Sequence, residues 1–250
     1  MKVVVVGAST GLGRCIGIGL AKRGADVALL ARREELLVDA AKEAGPGTLA
    51  IRCDVTDEAS CRNAVAEAAD GLGGIDAAVY APGVGVLRRI EELQPADWRR
   101  TFETNVIGAA TFTTAALPHL AASRGVAAYL SSVSASLTPP WPGLASYTVT
   151  KAALDKLVEA WRAEHPHVGF TRVTVGDCGG GEGIAQSQFL AEMDPDLLME
   201  IYPTWQARGL LSGSLMDVED LIGVVDSVVR FGASAAIPSI TVTPRIPKEG

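Results

Sequence analysis

The sequence predicts an α/β fold in which a doubly wound, parallel β-sheet lies between layers of helices. Short apolar runs alternate with amphipathic segments of helical length along the chain, and this alternation is typical of parallel strands joined by right-handed crossovers. The first run, Val3-Val4-Val5-Val6, leads directly into a glycine-rich turn and a helix. Hydrophobic residues make up 48% of the 250 positions, enough for one large core. We therefore predict a single domain over residues 1–250.

Each predicted element follows from its apolar pattern and from the glycines and prolines beside it. A strand is expected where mostly apolar residues run together, and a helix where they recur every three or four positions. The predicted strands are Val3–Val6, Ala25–Leu30, Thr48–Cys53, Ile75–Tyr80, Val126–Leu130, Val168–Val175 and Ile240–Thr243. The predicted helices are one after the first turn ending near Gly24, then Glu34–Ala44, Glu58–Ala69 closed by Gly71, Asp97–Ala122, Tyr147–Ala163 and Val218–Phe231.

The stretch at about 176–215 interrupts this alternation. It contains Gly179-Gly180-Gly181, Pro195 and Pro203 around a short helical pattern at about Gln188–Met193. Because it follows the sixth strand, it should lie over the carboxyl edge of the sheet, where ligands bind. We interpret it as a substrate lid; the alternative is a variable surface loop. Six apolar residues are expected mainly to pack the lid against the core, or else to line a pocket: Leu87, Trp141, Phe189, Met193, Leu197 and Trp205.

The turn after the first strand is predicted to bind phosphate. It reads Gly7-Ala8-Ser9-Thr10-Gly11-Leu12-Gly13, and the backbone N–H groups of such a turn and of the following helix face an anion. Gly7 permits the turn, Gly11 allows the backbone to approach a ligand closely, and Gly13 lets helix and strand pack closely. The predicted phosphate-binding residues are Gly7, Ser9, Thr10, Gly11, Leu12 and Gly13.

Tyr147 and Lys151 are four residues apart and therefore lie one turn apart on one face of a predicted helix. An ammonium beside a phenol favours the phenolate, so we expect Lys151 to lower the pKa of Tyr147 from its usual value of about 10. Tyr147 would then exchange a proton nearer neutral pH. Taken alone, the pair is more commonly an ordinary tyrosine and lysine on a surface helix.

Together the motifs resemble the single-domain short-chain dehydrogenase/reductase family over almost the whole chain. The matching residues are Gly7, Gly11 and Gly13 in the turn, Asp54 after the third strand, Asn105 in the long helix, the serines after the fifth strand, and Tyr147-x-x-x-Lys151. The resemblance implies a Rossmann fold that transfers hydride between a nicotinamide cofactor and an alcohol or carbonyl.

The resemblance also implies a role for each matching residue. Tyr147 is the expected general acid and also an expected cofactor-binding residue. Lys151 would also hold the nicotinamide ribose, and Ser132 would orient the substrate oxygen. Asn105 is expected to hold a water in a proton relay, its alternative being a polar residue buried at a helix irregularity. Asp54, followed by Val55, is expected beside the adenine, its alternative being a helix cap before Glu58.

The catalytic serine has two candidates. Alignment with the family's Ser-Ser-x-x-Gly pattern selects Ser132, which lies 15 residues before Tyr147. Counting back from Tyr147 by the family's usual spacing selects Ser134 instead. Ser132 is placed first and Ser134 second.

The end of the second strand indicates NADP (NADPH) rather than NAD. An acidic residue there would accept hydrogen bonds from the adenosine ribose and repel a 2′-phosphate. The chain has Leu30-Ala31-Arg32-Arg33 at this point, and a planar guanidinium suits phosphate. Arg32 is the expected main contact. Arg33 is either a second cofactor contact or a solvated residue at the helix start.

Two segments depart from the family pattern. Tyr80-Ala81-Pro82-Gly83 stands where the family commonly has Asn-Asn-Ala-Gly, so that only Gly83 is kept as a cofactor-binding residue. Val175-Gly176-Asp177-Cys178-Gly179 stands where the family often has Pro-Gly followed by a threonine near the carboxamide. Neither departure touches the proton-transfer residues.

Charge and composition exclude several other classes. The net charge is −7 without a lysine or arginine run, so the electrostatic footprint of nucleic-acid binding is missing. Four widely spaced cysteines predict reduced thiols and a cytoplasmic protein, and no metal site is expected. We find no apolar stretch near the length of a membrane span. The resemblance suggests a homodimer or homotetramer through the Asp97–Ala122 and Tyr147–Ala163 helices.

The sequence thus predicts an NADP-dependent oxidoreductase that reduces a carbonyl, or oxidises the corresponding alcohol, on a small or medium organic substrate. The alternative is a protein of the same fold that binds NADP as a sensor or scaffold without turnover. Loss of the tyrosine or the lysine would favour that alternative, and both are present.

Overall fold

A seven-stranded, wholly parallel β-sheet forms the centre of the protein. The computed structural model describes residues 1–181, 189, 193–232 and 234–245. Its strands are β1 (Lys2–Val6), β2 (Asp26–Ala31), β3 (Leu49–Arg52), β4 (Ala77–Tyr80), β5 (Val126–Ser132), β6 (Gly169–Val175) and β7 (Ser239–Val242). They lie in the order β3-β2-β1-β4-β5-β6-β7, with every neighbouring pair parallel. The predicted doubly wound parallel sheet is confirmed.

Helices pack on both faces of this sheet. In the part of the chain that the structure describes they are α1 (Gly11–Lys22), α2 (Glu34–Ala44), α3 (Glu58–Leu72), α4 (Pro95–Phe102), α5 (Gly108–Ser123), α6 (Val133–Ser136), α7 (Ala145–Glu164), α8 (Pro195–Ala207) and α9 (Val218–Val229). Successive side chains of a strand point to opposite faces. Accordingly Val4 and Val6 pack in one core cluster with Leu154, whereas Val3 and Val5 pack in the other.

The order of the strands reverses beside β1. The chain moves outward from β1 through β2 to β3, and then returns to place β4 on the other side of β1. The connections at the carboxyl ends of β1 and β4 therefore diverge. A crevice forms at such a switch point, and open α/β sheets bind their ligands there.

The helix predicted at Asp97–Ala122 is longer and less regular in the structure. It begins at Pro95, where a missing N–H costs nothing. A π-helical turn at Glu103–Ile107 then separates α4 from α5. Such turns occur frequently at functional sites, and this one contains the predicted site residue Asn105.

The same helical run, Pro95–Ser123, is long and apolar enough to cross a membrane when only length and composition are considered. Our expectation that no apolar stretch approaches that length is therefore wrong. It is the one such helix among the described residues, and a single one is weak evidence, because the core helix of a globular protein meets the same test.

The end of α3 also differs from the prediction. Gly71, predicted to close the helix, lies inside it, and the left-handed residue at the helix end is Gly73, with φ 72°. A Cβ at position 71 would lie 2.6 Å from Leu49 Cδ1. Gly71 therefore permits close packing of α3 on β3, and Gly73 supplies the conformation that ends the helix.

The interruption at 176–215 is described in part. Of the helical pattern predicted at Gln188–Met193, only Phe189 and Met193 lie within the described residues. After them α8 begins at Pro195, and the carboxylate of its N-cap, Asp194, accepts hydrogen bonds from two backbone N–H groups of the first turn. The apolar face of α8 joins a third core cluster with Trp141 and Leu144. Its function as a substrate lid stays a prediction.

Candidate active site

A cavity of about 780 Å³ lies at the carboxyl edge of the sheet. It is lined by all but one of the predicted site residues: Gly7, Ser9, Thr10, Gly11, Leu12, Gly13, Arg32, Arg33, Asp54, Val55, Gly83, Ser132, Tyr147 and Lys151. The exception is Asn105, which is fully buried behind the wall. Among the described residues, no group of three or more His, Cys, Asp or Glu side chains is placed to hold a metal ion.

The turn between β1 and α1 fits the diphosphate of a dinucleotide. Gly7 and Gly11 have φ values of 81° and 61°, in the region that favours glycine. A Cβ at Gly13 would lie 2.3 Å from the carbonyl oxygen of Gly7, so only glycine lets the helix approach the turn this closely. Thr10, the N-cap of α1, makes no side-chain capping hydrogen bond. The first N–H groups of α1 thus lie beside the cavity without a cap from Thr10, as an anion site requires.

A second glycine segment passes close to this turn, which the sequence interpretation missed. A Cβ at Gly180 would lie 3.0 Å from the backbone nitrogen of Leu12 and 3.2 Å from the carbonyl carbon of Gly11. The chain after β6 therefore crosses the start of α1. The run Gly179-Gly180-Gly181 was the available signal, because three glycines permit such a close approach of two backbones.

Of the two arginines after β2, Arg33 is the one that contacts the predicted phosphate turn. Its guanidinium donates hydrogen bonds to Ser9 Oγ at 3.0 Å and to Thr10 Oγ1 at 2.7 Å. Arg33 is exposed and is the N-cap of α2, as its alternative expects, and its role as a cofactor contact stays a prediction. Arg32, the expected main contact, lines the same cavity and acts electrostatically on Asp54.

Asp54 lies in the loop between β3 and α3, where hydrogen bonds from Thr56 hold its side chain. Its carboxylate accepts hydrogen bonds from Thr56 N at 3.0 Å and Thr56 Oγ1 at 2.8 Å. Burial raises the pKa of Asp54, but donation by Thr56 and the charge of Arg32 outweigh it and leave the pKa below its usual value. The N-cap of α3 is Asp57, so the alternative of Asp54 as the helix cap is wrong. Val55, beside it, is buried.

The departure at Tyr80-Ala81-Pro82-Gly83 is compensated in two ways. The Tyr80 hydroxyl donates to the carbonyl oxygen of Thr104 in the π-helical turn, so a phenol braces β4 against the long helix. Gly83 is needed for close approach, because a Cβ there would lie 3.3 Å from Lys151 Nζ. The segment therefore remains part of the cavity wall with different side chains.

Asn105 uses its whole amide to hold neighbouring segments. Its Oδ1 accepts from Val84 N at 2.8 Å, and its Nδ2 donates to Val84 O and to Thr150 Oγ1, both at 2.8 Å. Thr150 Oγ1 donates in turn to the carbonyl oxygen of Tyr147 at 2.8 Å. The alternative of a buried polar residue at a helix irregularity thus describes Asn105 in this structure. Its predicted place in a proton relay stays a prediction.

The structure brings Ser132, rather than Ser134, to Tyr147. The Ser132 hydroxyl makes a hydrogen bond with the phenol and moderates its pKa. Ser132 Oγ also lies 3.0 Å from Ser134 Oγ and accepts from Ser134 N at 3.2 Å. Ser134 also lines the cavity, at the start of α6, and supports the hydroxyl that faces the tyrosine.

The prediction that the pKa of Tyr147 is lowered is wrong in direction. Burial raises the pKa of Tyr147 to about 12, and the hydrogen bond with Ser132 offsets only part of that rise. The ammonium of Lys151 donates to the carbonyl oxygen of Leu130 at 2.7 Å and lies 5.7 Å from the centre of the tyrosine ring. The cost of removing a phenolate from water therefore exceeds the attraction of an ammonium that is engaged elsewhere.

Asp155 is a charged residue of this region that the sequence interpretation missed. It lies one turn after Lys151 on α7 and is 5% exposed. Its Oδ2 accepts from an Arg172 side-chain nitrogen at 3.2 Å. Burial lowers the pKa of Lys151 to about 8, and the carboxylate of Asp155 opposes that shift. The four-residue spacing of Tyr147, Lys151 and Asp155 on one helix face was the signal for this group.

The second departure, after β6, anchors the far side of the cavity. Asp177 Oδ2 accepts from Ser212 N at 2.8 Å and from Ser212 Oγ at 2.6 Å. The carbonyl oxygen of Asp177 accepts from Met216 N at 2.9 Å. The aspartate that replaces part of the family pattern therefore holds the chain returning from α8 against the end of β6.

Apolar side chains form the wall of the cavity beyond Tyr147. Of the six residues expected mainly to pack, Trp141, Phe189, Met193 and Trp205 do line the cavity. Leu87 and Leu197 only pack behind them. The ring of Phe189 lies 4.6 Å, centre to centre, from the ring of Tyr147. The same cluster of apolar side chains therefore both packs the core and lines the cavity.

The shifted pKa of Lys151 predicts a pH-dependent stability. A buried lysine with a pKa of about 8 releases its proton in the folded state before the unfolded state does near 10.5. The unfolded state then binds more protons, so the free energy of unfolding should rise with pH between these values. We expect a gain of about 2 kcal/mol between pH 8 and 10 relative to Lys151→Met, measured by urea unfolding.

A control for this prediction is Lys156→Met, which removes an exposed lysine from the same helix. Its pH dependence should follow that of the wild-type protein. Equal slopes for the wild type and Lys151→Met would show that Lys151 keeps its charge over this range. Comparison of slopes is required because other groups titrate in all three proteins.

Comparison with known proteins agrees with this arrangement. The family model described as short chain dehydrogenase matches residues 1–188. A similar protein is 11-beta-hydroxysteroid dehydrogenase A of Sesamum indicum, 35% identical over 180 residues, which are 70% of this chain and 51% of the relative. The chain thus spans about half the length of that relative.

Solved structures share the fold. An alcohol dehydrogenase from the archaeon Thermococcus sibiricus, complexed with 5-hydroxy-NADP, has a TM-score of 0.77 at 22% identity and covers 96% of this chain and 94% of its own. A 3-ketoacyl-(acyl-carrier-protein) reductase from Brucella melitensis, complexed with NADH, has a TM-score of 0.81 at 23% identity and covers 96% of each chain. With the family match over three quarters of its length, the chain belongs to the short-chain dehydrogenase/reductase family.

Proposed function

We propose that the protein is an NADP-dependent oxidoreductase that reduces a carbonyl, or oxidises the corresponding alcohol, on a small or medium organic substrate. The observation that carries the proposal is the meeting of Ser132, Tyr147 and Lys151 in the cavity that the glycine turn also lines. A proton donor, an orienting hydroxyl and a cation beside a dinucleotide cradle suit hydride transfer coupled to proton transfer. A bound dihydronicotinamide would supply the hydride.

In reduction, Tyr147 would donate its hydroxyl proton to the carbonyl oxygen, so that the C=O group becomes CH–OH and the phenol becomes a phenolate. Ser132 would donate a hydrogen bond to the same oxygen and orient it. Because burial raises the pKa of Tyr147 to about 12, the phenol is protonated at neutral pH. This protonation state supports the role of an acid in the direction of reduction.

The preference for NADP is supported by the two arginines after β2. The strand ends at Ala31 and is followed by Arg32 and Arg33, so no carboxylate stands there to repel a 2′-phosphate. Ser9 and Thr10 hold the guanidinium of Arg33 at the edge of the turn. The similar solved structures include one complex with an NADP derivative and one with NADH, so the preference depends on this chain's own residues.

The proposal is tested by mixing the purified protein with NADPH and a panel of aldehydes and ketones while following absorbance at the dihydronicotinamide band. Oxidation that depends on both protein and carbonyl compound is the expected result. Tight binding of NADPH without oxidation across the panel would contradict the proposed reduction and favour the non-catalytic binding protein.

Arg33→Ala should weaken the binding of NADPH but not that of NADH. Loss of a charged hydrogen bond to phosphate corresponds to roughly 10- to 100-fold in affinity, so KM for NADPH should rise by about that factor. KM for NADH should change little, because NADH has no 2′-phosphate. Arg32→Ala is expected to have the smaller effect of the two, since the turn residues hold Arg33.

The matched control is Arg62→Ala, which removes an exposed guanidinium on α3. It should leave both KM values unchanged. An equal rise in KM for NADPH and for NADH in Arg33→Ala would show that this arginine supports the turn and does not bind the 2′-phosphate.

A further inference from the structure

The part of the sequence that follows β6 contains no positive charge over more than thirty residues. Residues 176–207, here called the acidic segment, include no lysine or arginine. Their acidic residues are Asp177, Glu182, Glu192, Asp194, Asp196 and Glu200. This absence of cations is a property of the sequence and holds for the whole segment.

In the part that the structure describes, the substrate side of the cavity is mainly apolar, with Tyr202 and Gln206 as its polar residues on α8. Trp141 and Trp205 are buried, and their rings lie 5.3 Å apart, centre to centre. Phe189 lies against Tyr147, and Leu198 also lines this side. Both indole N–H groups are already engaged: that of Trp141 donates to Thr138 Oγ1 and that of Trp205 to Pro142 O, each at 2.9 Å.

The described cations that line the cavity are not members of this apolar cluster. Arg32 and Arg33 follow β2 near the phosphate turn, and Lys151 is held by the carbonyl oxygen of Leu130. Two further arginines lie on the loop after β4, but neither lines the cavity. Arg88 pairs with Asp97 at 2.8 Å, and Arg89 pairs with Glu200 of the acidic segment.

A carboxylate or phosphate on the substrate would therefore enter a mainly apolar wall without a cationic partner. Removal of an ionised group from water is costly unless an opposite charge or several hydrogen bonds replace the water. Asp177, the acid of the segment that lines the cavity among the described residues, would add repulsion. An uncharged apolar body instead gains free energy from burial against the tryptophans.

From these observations we propose that the substrate carries its carbonyl on a bulky, apolar body without an anionic group. The inference rests on the proposed carbonyl chemistry and adds the class of substrate to it. It excludes keto acids and acyl chains attached to phosphate-bearing carriers as preferred substrates. Tyr202, which is 44% exposed and lines the cavity on α8, lies where an introduced cation would weaken this preference.

The test compares 2-acetylnaphthalene with 6-acetyl-2-naphthoic acid, which has the same skeleton and a carboxylate. With NADPH and the full chain, kcat/KM for the neutral ketone should exceed that for the acid by roughly 50-fold or more, since an unpaired buried charge costs several kcal/mol. Tyr202→Arg should reduce this ratio by about tenfold. Comparable kcat/KM values for the two ketones in the wild-type protein would overturn the inference.

The matched control is Met199→Arg, which adds the same charge to the same helix at a site that is 74% exposed and outside the cavity lining. It should keep the wild-type ratio. If Met199→Arg narrows the ratio as much as Tyr202→Arg, the preference comes from the overall field of the molecule and the apolar wall does not set it.

Binding measurements separate this inference from the proposed reaction. Isothermal titration of the NADP-bound protein should show at least about tenfold tighter binding of the neutral ketone. Preferential binding without turnover would support the substrate class and contradict the reduction. Turnover with a preference for the acid would support the reduction and contradict the substrate class. If neither ketone binds, the substrate class is also contradicted.

Discussion

Tyr147→Phe is expected to lower kcat for carbonyl reduction by roughly 10²- to 10⁴-fold, the usual contribution of a positioned proton donor. The ring would remain packed against Phe189, so the cavity should keep its shape. The hydroxyl that faces Ser132 and would protonate the substrate oxygen would be missing. Steady-state rates with NADPH and a reactive ketone measure the loss, and fluorescence titration should give a Kd for NADPH close to that of the wild type.

Tyr202→Phe is the control for the loss of a phenolic hydroxyl. Tyr202 also lines the cavity, but it lies on α8 and is half exposed. The kcat of Tyr202→Phe should match that of the wild-type protein. An unchanged kcat in Tyr147→Phe would contradict the assignment of Tyr147 as the proton donor, and a large loss of NADPH affinity would indicate a role in cofactor binding instead.

Gly13→Ala is expected to abolish measurable cofactor binding. The added Cβ would lie 2.3 Å from the carbonyl oxygen of Gly7 and 2.9 Å from its carbonyl carbon. Backbone atoms cannot rotate away as a side chain can, so α1 or the turn must shift. Because the proposed diphosphate site consists of that turn and the first N–H groups of α1, we expect Kd for NADPH to rise by roughly 100-fold or more. Equilibrium binding of NADPH measures this directly.

Two further glycines separate this effect from a general loss of stability. Gly17→Ala places a Cβ 2.3 Å from Leu29 Cδ2, a side-chain atom in the core one turn further along α1. It should lower the unfolding midpoint but leave Kd for NADPH nearly unchanged. Gly223→Ala meets nothing within 4 Å on α9, so it should be neutral or slightly stabilising. Equal losses of affinity in Gly13→Ala and Gly17→Ala would contradict a local effect at the turn.

Local patterns in the sequence predicted most of the fold. The run Val3–Val6 is completely buried in β1, because a strand covered on both faces must be apolar throughout. The alternation of strands and helices predicted the parallel sheet, since parallel neighbours require crossovers. Boundaries were less accurate. Gly71 looks like a helix end, yet the space beside Leu49 makes it a packing glycine.

The site could be predicted as a set of residues, but their contacts could not. Spacing alone placed Tyr147 and Lys151 on one face, and both line the cavity. The hydrogen bonds of Asn105 to Val84 and Thr150 join segments that are distant in the sequence. The guanidinium of Arg33 similarly meets a turn more than twenty residues earlier. The hydrophobic periodicity of the sequence does not predict contacts between such distant segments.

The sequence by itself determined the parallel sheet, the phosphate turn with Gly7 and Gly13, and the pairing of Tyr147 with Lys151. These features depend on hydrophobic periodicity and on residue spacing within single elements. Only the tertiary structure decided that the pKa of Tyr147 is raised and that the tryptophans over the cavity are both packing and lining residues. Burial decides such properties, because hydration is lost only when distant segments close around a group.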